Sequence, residues 1–423
     1  MPFQVGLKFK GLKFGDAGMD AAKKFAFACV AVIGASAAAV GAEDAVRGWK
    51  PGELHLHCIH TGSGEANFFI FPDATTMLLD CGDIAPRGNP NDSVVPEFPD
   101  SSASPGERIA KYILSVNPAK DPAWVDWLVV SHYHSDHVGW LRGTENEPPR
   151  GFAAAAQKLH FRRAVDRGRP GVDCPKVEED KAELALLEKL YRDLKARDGL
   201  AYERFEVGRR NQLRPLNGDV RDFSVFNLCA GGFVADERTG SVTNICAGFI
   251  GYSENAMSLG FILRYGEFSL YTAGDFSGHV RRAAGEPEID LEVLLAPFVS
   301  AVSAAHVNHH GHYTMPSELV SALRARAWFG STWTLRQFIP PVMERLADRS
   351  LYPGERAICP PFIPAERLAE AQKSGAAWLK DVPPAAYRGA HVVLVVPPGG
   401  RTFDIECRSA DGKTTFRRTL ASR

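Results

Sequence analysis

The 423-residue chain has no charge excess: 49 Lys and Arg stand against 50 Asp and Glu, a formal net of −1. No general electrostatic pull toward nucleic acid or an anionic membrane surface follows, and only a local patch is left open. The eight cysteines show no C-x-x-C and no zinc-ribbon spacing, which excludes the common structural zinc modules. There is no G-x-S-x-G, so an elbow-type serine nucleophile is excluded. No internal repeat and no low-complexity tail are present, and 45% hydrophobic with 23% charged residues is an ordinary globular balance. Collagen-like, mucin-like and wholly disordered chains are thereby set aside. The length fits one large domain with insertions, or two domains.

Long apolar runs are nearly absent too. The one exception is Phe25–Ala42, 18 residues that follow Lys23-Lys24, end in Val40-Gly41-Ala42 and precede Glu43-Asp44. A positive flank, an apolar stretch and a small-residue exit make residues 1–42 a secretory signal peptide, with Met19 as an alternative start; a retained anchor is the weaker reading. The predicted product is exported, periplasmic or extracellular, with no stable membrane span after cleavage. Removing residues 1–42 takes five lysines and two aspartates and leaves 44 basic against 48 acidic residues, a net of −4. In such a compartment Cys229 and Cys246 either pair across a Gly-rich loop or sit as small buried hydrophobes.

What the chain does have is histidine in clusters: ten of the 13 fall in three short stretches. Around them, apolar alternation predicts strands at Glu53–His60, Asn67–Phe71, Thr76–Asp80 and Trp124–Val130. Residues 84–105 read as a surface loop. Ser104-Pro105-Gly106-Glu107 is a capping box opening a helix, and Val177–Arg197 predicts a long amphipathic helix. Residues 229–256 read as irregular, lid or loop. Met257–Arg264 with Phe268–Ala273, and Gly389–Val396 with Arg401–Arg408, read as hairpins. Leu291–Pro297, Val302–Val307 and Ala327–Gly330 read as extended pieces. Strands, helices and strands again predict an α/β layered fold.

The strongest chemical signal is Ser131-His132-Tyr133-His134-Ser135-Asp136-His137-Val138-Gly139, directly after an apolar strand. His132 and His134, two apart on extended backbone, point one way. Three imidazoles and a carboxylate within six residues suit a divalent metal with N/O preference: Zn2+ first, Mn2+ as the alternative. A metal lowers the pKa of bound water toward ~7, so hydroxide exists at neutral pH, and two metals can also polarise an electrophile. Asp136 or Asp275 would then orient the nucleophile or take its proton.

This H-x-H-x-D-H motif resembles that of the metallo-β-lactamase-fold hydrolases. Gly62–Ala66 with Leu78–Asp83 is similar to the opening hairpin of that superfamily. Ser258–Leu263, Tyr265-Gly266, Tyr271–Asp275 and His309-His310-Gly311 resemble most closely the hydrolase domain of competence-type DNA-uptake proteins. The resemblance implies an αββα sandwich, with residues 43–335 as its core and residues 336–423 completing it or adding a small cap. It implies that His132 and His134 hold one metal, Asp136 and His137 a second, and that Asp275 bridges them. One of His309 and His310 completes the second site, with His309 preferred. The third ligand such proteins often give the first metal is not matched by a plain histidine. Only His160 lies in that interval and reads as structural, so Asn255 is preferred over Asp166 and Glu254, and one ion or two is left open.

Weaker candidates surround this set. His55 and His57 share a face of the first strand and read as a polar strand face rather than a further metal site. His60 is placed at the site edge; His279, His312 and Tyr313 are substrate or proton-donor candidates; Asp80 and Asp83 are candidate supports behind ligand histidines. The expected function is hydrolysis of a phosphodiester or phosphoester. A lactone, β-lactam or other acyl hydrolase is the alternative, and a non-catalytic binding protein on the same fold the second. Arg162, Arg163, Arg167 and Arg169, and Arg209, Arg210 and Arg214, form two basic runs. Nucleic acid as substrate is not supported by the net charge, so a small phosphoester is equally expected.

Overall fold

The structure is a computed structural model describing residues 48–84, 95–143, 148–169 and 181–423, with side chains of the long helix described from 183. The leader 1–42 and residues 85–94 of the predicted loop lie outside the described residues. No helix among the described residues is long and apolar enough to cross a membrane.

The strands in chain order are β1 (Leu54–Cys58), β2 (Asn67–Ile70), β3 (Thr76–Leu79), β4 (Trp124–Val130), β5 (His160–Asp166) and β6 (Ala201–Arg204). Next come β7 (Phe223–Ala230), β8 (Phe233–Ala235), β9 (Val242–Asn244), β10 (Gly260–Tyr265) and β11 (Phe268–Thr272). A short ribbon, β12 (His279–Val280) with β13 (Ile289–Asp290), precedes β14 (Ala304–His306), β15 (Ala327–Phe329) and β16 (Ala357–Cys359). The chain ends on β17 (His391–Val396), β18 (Thr402–Arg408) and β19 (Thr414–Ala421).

Two large sheets result. One has the order β19-β18-β17-β1-β2-β3-β4-β5-β6, the other β16-β15-β14-β11-β10-β7-β8-β9. Side chains alternate between two buried faces, which is why these strands read as apolar runs. Met77, Leu79, Trp127 and Val129 face the second sheet, meeting Phe261, Leu263, Leu270 and Phe329. Leu78, Leu128 and Val130 face outward under helices α1 (Pro105–Val116), α3 (Phe152–Ala155) and α4 (Lys181–Asp198); the one-turn α2 (Ser135–Val138) lies between α1 and α3 in the chain. The outer face of the second sheet is covered by α5 (Leu291–Leu295), α6 (Ser317–Leu323), α7 (Pro340–Ala347) and α8 (Ala365–Ser374). The fold is therefore an αββα sandwich.

The Ser104 capping box forms as the sequence predicts, Glu107 answering Ser104 N at 3.0 Å. Other expectations change. Residues 229–256 are not wholly irregular, since β8 and β9 extend the second sheet. Leu291–Leu295 is a helix, because Asp290 caps it by accepting from Glu292 N. The last hairpin gains a third strand, β19. Residues 336–423 supply β16 to one sheet and β17–β19 to the other, with β17 lying against β1. Cys229 and Cys246 are both buried and form no disulfide, which corrects the disulfide alternative.

Candidate metal centre

The strands β3 and β4 run parallel in one sheet, and β11 and β14 in the other. Their C-terminal ends deliver Asp80, Ser131-His132, Asp275 and the stretch after His306 to one edge of the sandwich, where ligands of α/β sheets commonly bind. The loops meet there without side-chain spacers. Gly82 N donates to Glu65 O at 2.7 Å and Glu65 N to Asp136 O at 2.8 Å. A Cβ on Gly82 would fall 1.7 Å from that Asp136 oxygen, so only glycine lets the three segments close.

His137 and His310 stand at the middle. Their Nε2 atoms are 3.2 Å apart, and Asp275 Oδ1 lies 3.1 Å from the first and 3.0 Å from the second. Each ring is backed by a buried carboxylate. His137 donates from Nδ1 to Asp80 Oδ2 at 2.8 Å, and His310 Nδ1 lies 3.1 Å from Glu65 Oε2. Glu65 is itself met by Asn67 Nδ2 at 2.6 Å and His306 Nε2 at 2.9 Å. Asp136 Oδ2 reaches to 3.9 Å of His310 Nε2. Beside them His132 Nε2 and His134 Nδ1 are 3.1 Å apart, while Ser131 Oγ holds His132 Nδ1 at 3.1 Å and gives its own proton to Asp80. Trp333 walls the pair, its ring 4.0 Å from that of His310.

His309 and His310 have left-handed backbones, φ 46° and 55°, a strained arrangement for residues with side chains. Asn308 fixes it: its amide donates to Glu292 Oε1 at 2.9 Å and Phe276 O at 3.2 Å, and its oxygen accepts from Tyr271 at 3.1 Å.

Burial opposes charge on every group here, so the direction of each shift shows which neighbour outweighs it. Burial pushes Asp275 up, but His137, His310 and His309 hold it well below the usual carboxylate range. Burial lowers His137, yet Asp275 and Asp80 raise it well above an ordinary imidazole. His310 is raised to about 9, Asp275 and Glu65 outweighing burial. Glu65 is held well below its ordinary value, His306 and His310 overcoming burial. His132 goes the other way, pushed well below by burial, His137 and His134. Two imidazolium protons thus do what a divalent cation does, sitting among converging carboxylates.

The donor set fits a metal. Ligand atoms of Glu65, His137, Asp275 and His310 all lie within 4.8 Å of one another. Asp275 Oδ1 is buried and, although 3.1 and 3.0 Å from the two Nε2 atoms, makes no well-aligned hydrogen bond, so a cation between them would satisfy it better.

Of the expected ligands, His132, His134, Asp136, His137, Asp275 and His310 come together at this edge. The geometry favours His310 over His309. His309 Nε2 is 3.8 Å from Asp275, and its lone pair faces the Asn255 amide at 3.3 Å while Nδ1 faces Ser277 Oγ at 3.1 Å. Asn255 is thus beside the centre; the other two candidates for its role are committed elsewhere. Glu254 grips the buried Arg167 at 2.9 and 2.6 Å, and Asp166 accepts from Tyr202 at 2.7 Å. Asp83 accepts from Arg150 and from the backbone of Gly106 and Gly151, a turn role, whereas Asp80 backs His137.

His312 packs 5.2 Å from His309, with Tyr313 71% exposed beyond it. His60, expected at the site edge, instead packs against Phe98 on the α1 side, and the exposed His279 pairs with Asp290 in the β12–β13 ribbon. His160 is bonded to Asp198 at 2.8 Å and stacked on Trp124. His55 and His57 are not surface groups: both are buried, one 2.9 Å from Glu53, the other 2.9 Å from Tyr112 Oη. Sequence reasoning missed Glu65 and His306 as site residues. The signals were present: Glu65 is a lone carboxylate between two apolar strands, and His306 ends its strand much as His132 follows β4.

No family model and no curated protein matches the chain. Among solved structures it is similar to the metallo-beta-lactamase fold protein YhfI from Bacillus subtilis, at 11% identity over 72% of this chain and 96% of that one, with a TM-score of 0.35. That likeness is too loose to carry an argument, and the fold rests on this chain's own layers.

Proposed function

We propose that the chain is a metal-dependent hydrolase acting on a small phosphodiester or phosphoester. The carrying observation is the convergence of His137 Nε2, His310 Nε2 and Asp275 Oδ1 within 3.2 Å of one another. His137, His310, Asp275 and Asp136 would hold one ion, Zn2+ by donor type; His132 and His134, with Asp275 shared, would hold a second. A bound divalent cation supplies water ionised near neutrality and a polarised electrophile. The chain's own groups do the rest. Asp80 and Glu65 keep the Nδ1 protons of His137 and His310 on the far side, so that both Nε2 lone pairs face inward. Asp136, its side chain 22% exposed, is the carboxylate open enough to take a proton from water. His309 and His312 stand at the rim, where a leaving group needs one.

The arginine runs support a small ester over a nucleic acid. Arg162 pairs with Asp126, Arg163 with Glu203, Arg167 with Glu254, Arg169 with Glu188, Arg209 with Glu206 and Arg210 with Glu237, so six of the seven already answer a carboxylate. Export rests on the Lys23–Ala42 pattern alone, and the mass of the mature protein tests it. The function is tested by metal analysis of the purified chain, then turnover of bis-p-nitrophenyl phosphate against a chromogenic lactone and nitrocefin. Phosphodiester turnover lost in His134→Ala and Asp275→Ala supports the reading. Preferential lactone or nitrocefin turnover selects the acyl alternative, and bound metal without turnover of any of them selects a binding protein.

A further inference from the structure

On the outer face of the first sheet a cavity of about 470 Å3 opens between α1, the start of β17 and the end of β18. None of the residues of the metal centre lines it. The size is that of small-molecule sites, about 300–1,000 Å3.

Its wall is aromatic. Phe98 lies 5.1 Å from His60 and 5.2 Å from His391, and Tyr112 lies 4.4 Å from His391. Its inner end carries His391 and Arg408. His391 Nδ1 accepts from His60 N at 3.0 Å, so the neutral ring keeps its proton on Nε2. Arg408, 1% exposed, places Nε at 2.9 Å and Nη2 at 2.7 Å from one oxygen of Glu406. The other Glu406 oxygen faces Arg417 at 2.8 Å. Arg408 Nη2 is buried and, although 2.7 Å from that Glu406 oxygen, makes no hydrogen bond, which is unusual for a buried guanidinium. Burial, then Arg108, pushes His60 down to about 3, and burial, His60 and Arg408 push His391 to about 3. Both rings are therefore uncharged, and the charge at the inner end is the arginines'. At the mouth Lys111 and Lys158 are exposed and make no ion pair among the described residues. The acidic residues beside them are already engaged: Asp100 by Ser102, Glu107 by Ser104, Asp411 by Ser409 and Lys413.

We propose that this cavity is a second ligand site, for an organic anion. A phosphate or carboxylate head meets the Arg408 guanidinium and His391 Nε2, and a flat apolar body lies between Phe98 and Tyr112. The site is independent of the metal centre and of the reaction assigned to it.

Titration calorimetry of the full chain with phenylphosphonate, benzoate and inorganic phosphate tests this. One of the two organic anions should bind with Kd below about 1 mM, at least about tenfold tighter than inorganic phosphate. The tighter of the two identifies the head group. Ala410→Trp, which fills the cavity from an exposed position, and Lys111→Glu with Lys158→Glu, both on the surface, should each weaken binding at least about tenfold. Asp275→Ala should leave it unchanged. Absence of binding by both organic anions, affinity no better than that of inorganic phosphate, binding that survives Ala410→Trp, or binding lost in Asp275→Ala would each overturn the proposal.

Discussion

Replacing Asp80 by asparagine tests the centre at its most informative point. Asp80 accepts three bonds, from Ser131 N at 2.7 Å, Ser131 Oγ at 2.7 Å and His137 Nδ1 at 2.8 Å. Asparagine keeps the size and the acceptor for Ser131 N. Its amide, turned toward His137, sets a donor against a donor. The imidazole relieves this by moving its proton to Nε2, the nitrogen that faces Asp275, and so loses its inward lone pair. Loss of such a backing carboxylate costs about 10–100-fold in metal affinity, or about 1.4–2.7 kcal/mol, and the tautomer change argues for the upper end. The assay is competition between the chelator-stripped chain and a zinc-binding fluorophore at neutral pH, with thermal unfolding run alongside. Asp83→Asn is the control: it loosens Arg150 and the turn at Gly106 and Gly151, and should cost stability while leaving zinc affinity alone. A folded Asp80→Asn protein that binds zinc within about twofold of wild type would refute the arrangement described here.

Three further outcomes are expected. His310→Ala should abolish metal retention, measured by elemental analysis after dialysis, while His309→Ala retains the ion and lowers turnover. Gly82→Ala should cost at least about 3 kcal/mol in denaturant unfolding, because the new methyl meets backbone rather than a yielding side chain. In the chelator-treated chain, His310 is raised from 6.5 to about 9. Its contribution to stability is thus complete below pH 6.5 and lost as pH rises through about 9. Urea midpoints should fall across that window, and saturating zinc, which displaces the protons, should flatten the fall.

Much of this was legible in the chain because the strongest pattern is local. His132 to His137 sit within one strand end and one helical turn, so spacing alone placed them. Asp275 was legible only through the family resemblance of the Tyr271–Asp275 segment. The choice between His309 and His310 was not, since it depends on left-handed backbone angles set by Asn308, Glu292 and Tyr271 from other elements. Glu65 escaped because a lone carboxylate between two apolar strands also reads as a turn residue, and its partners His306 and His310 are more than 200 residues away. The reading of His55 and His57 as a polar face failed for a related reason. Alternation tells which residues share a face, not whether a helix will cover it, and α1 brings Tyr112 over His57. The helix at Leu291 was missed because four apolar residues in a row also suit a strand, and the Asp290 cap decided it.

The pairing of β1 with β17 carries a consequence for biogenesis. β1 waits for a neighbour encoded more than 330 residues later, at residues 391–396, so the nascent polypeptide cannot finish its first sheet until that segment has emerged. A product truncated ahead of that point would leave a run of unsatisfied amides along Leu54–Cys58, open to any passing β-strand. Fragments ending before residue 391 should therefore clump rather than fold, however intact their histidines.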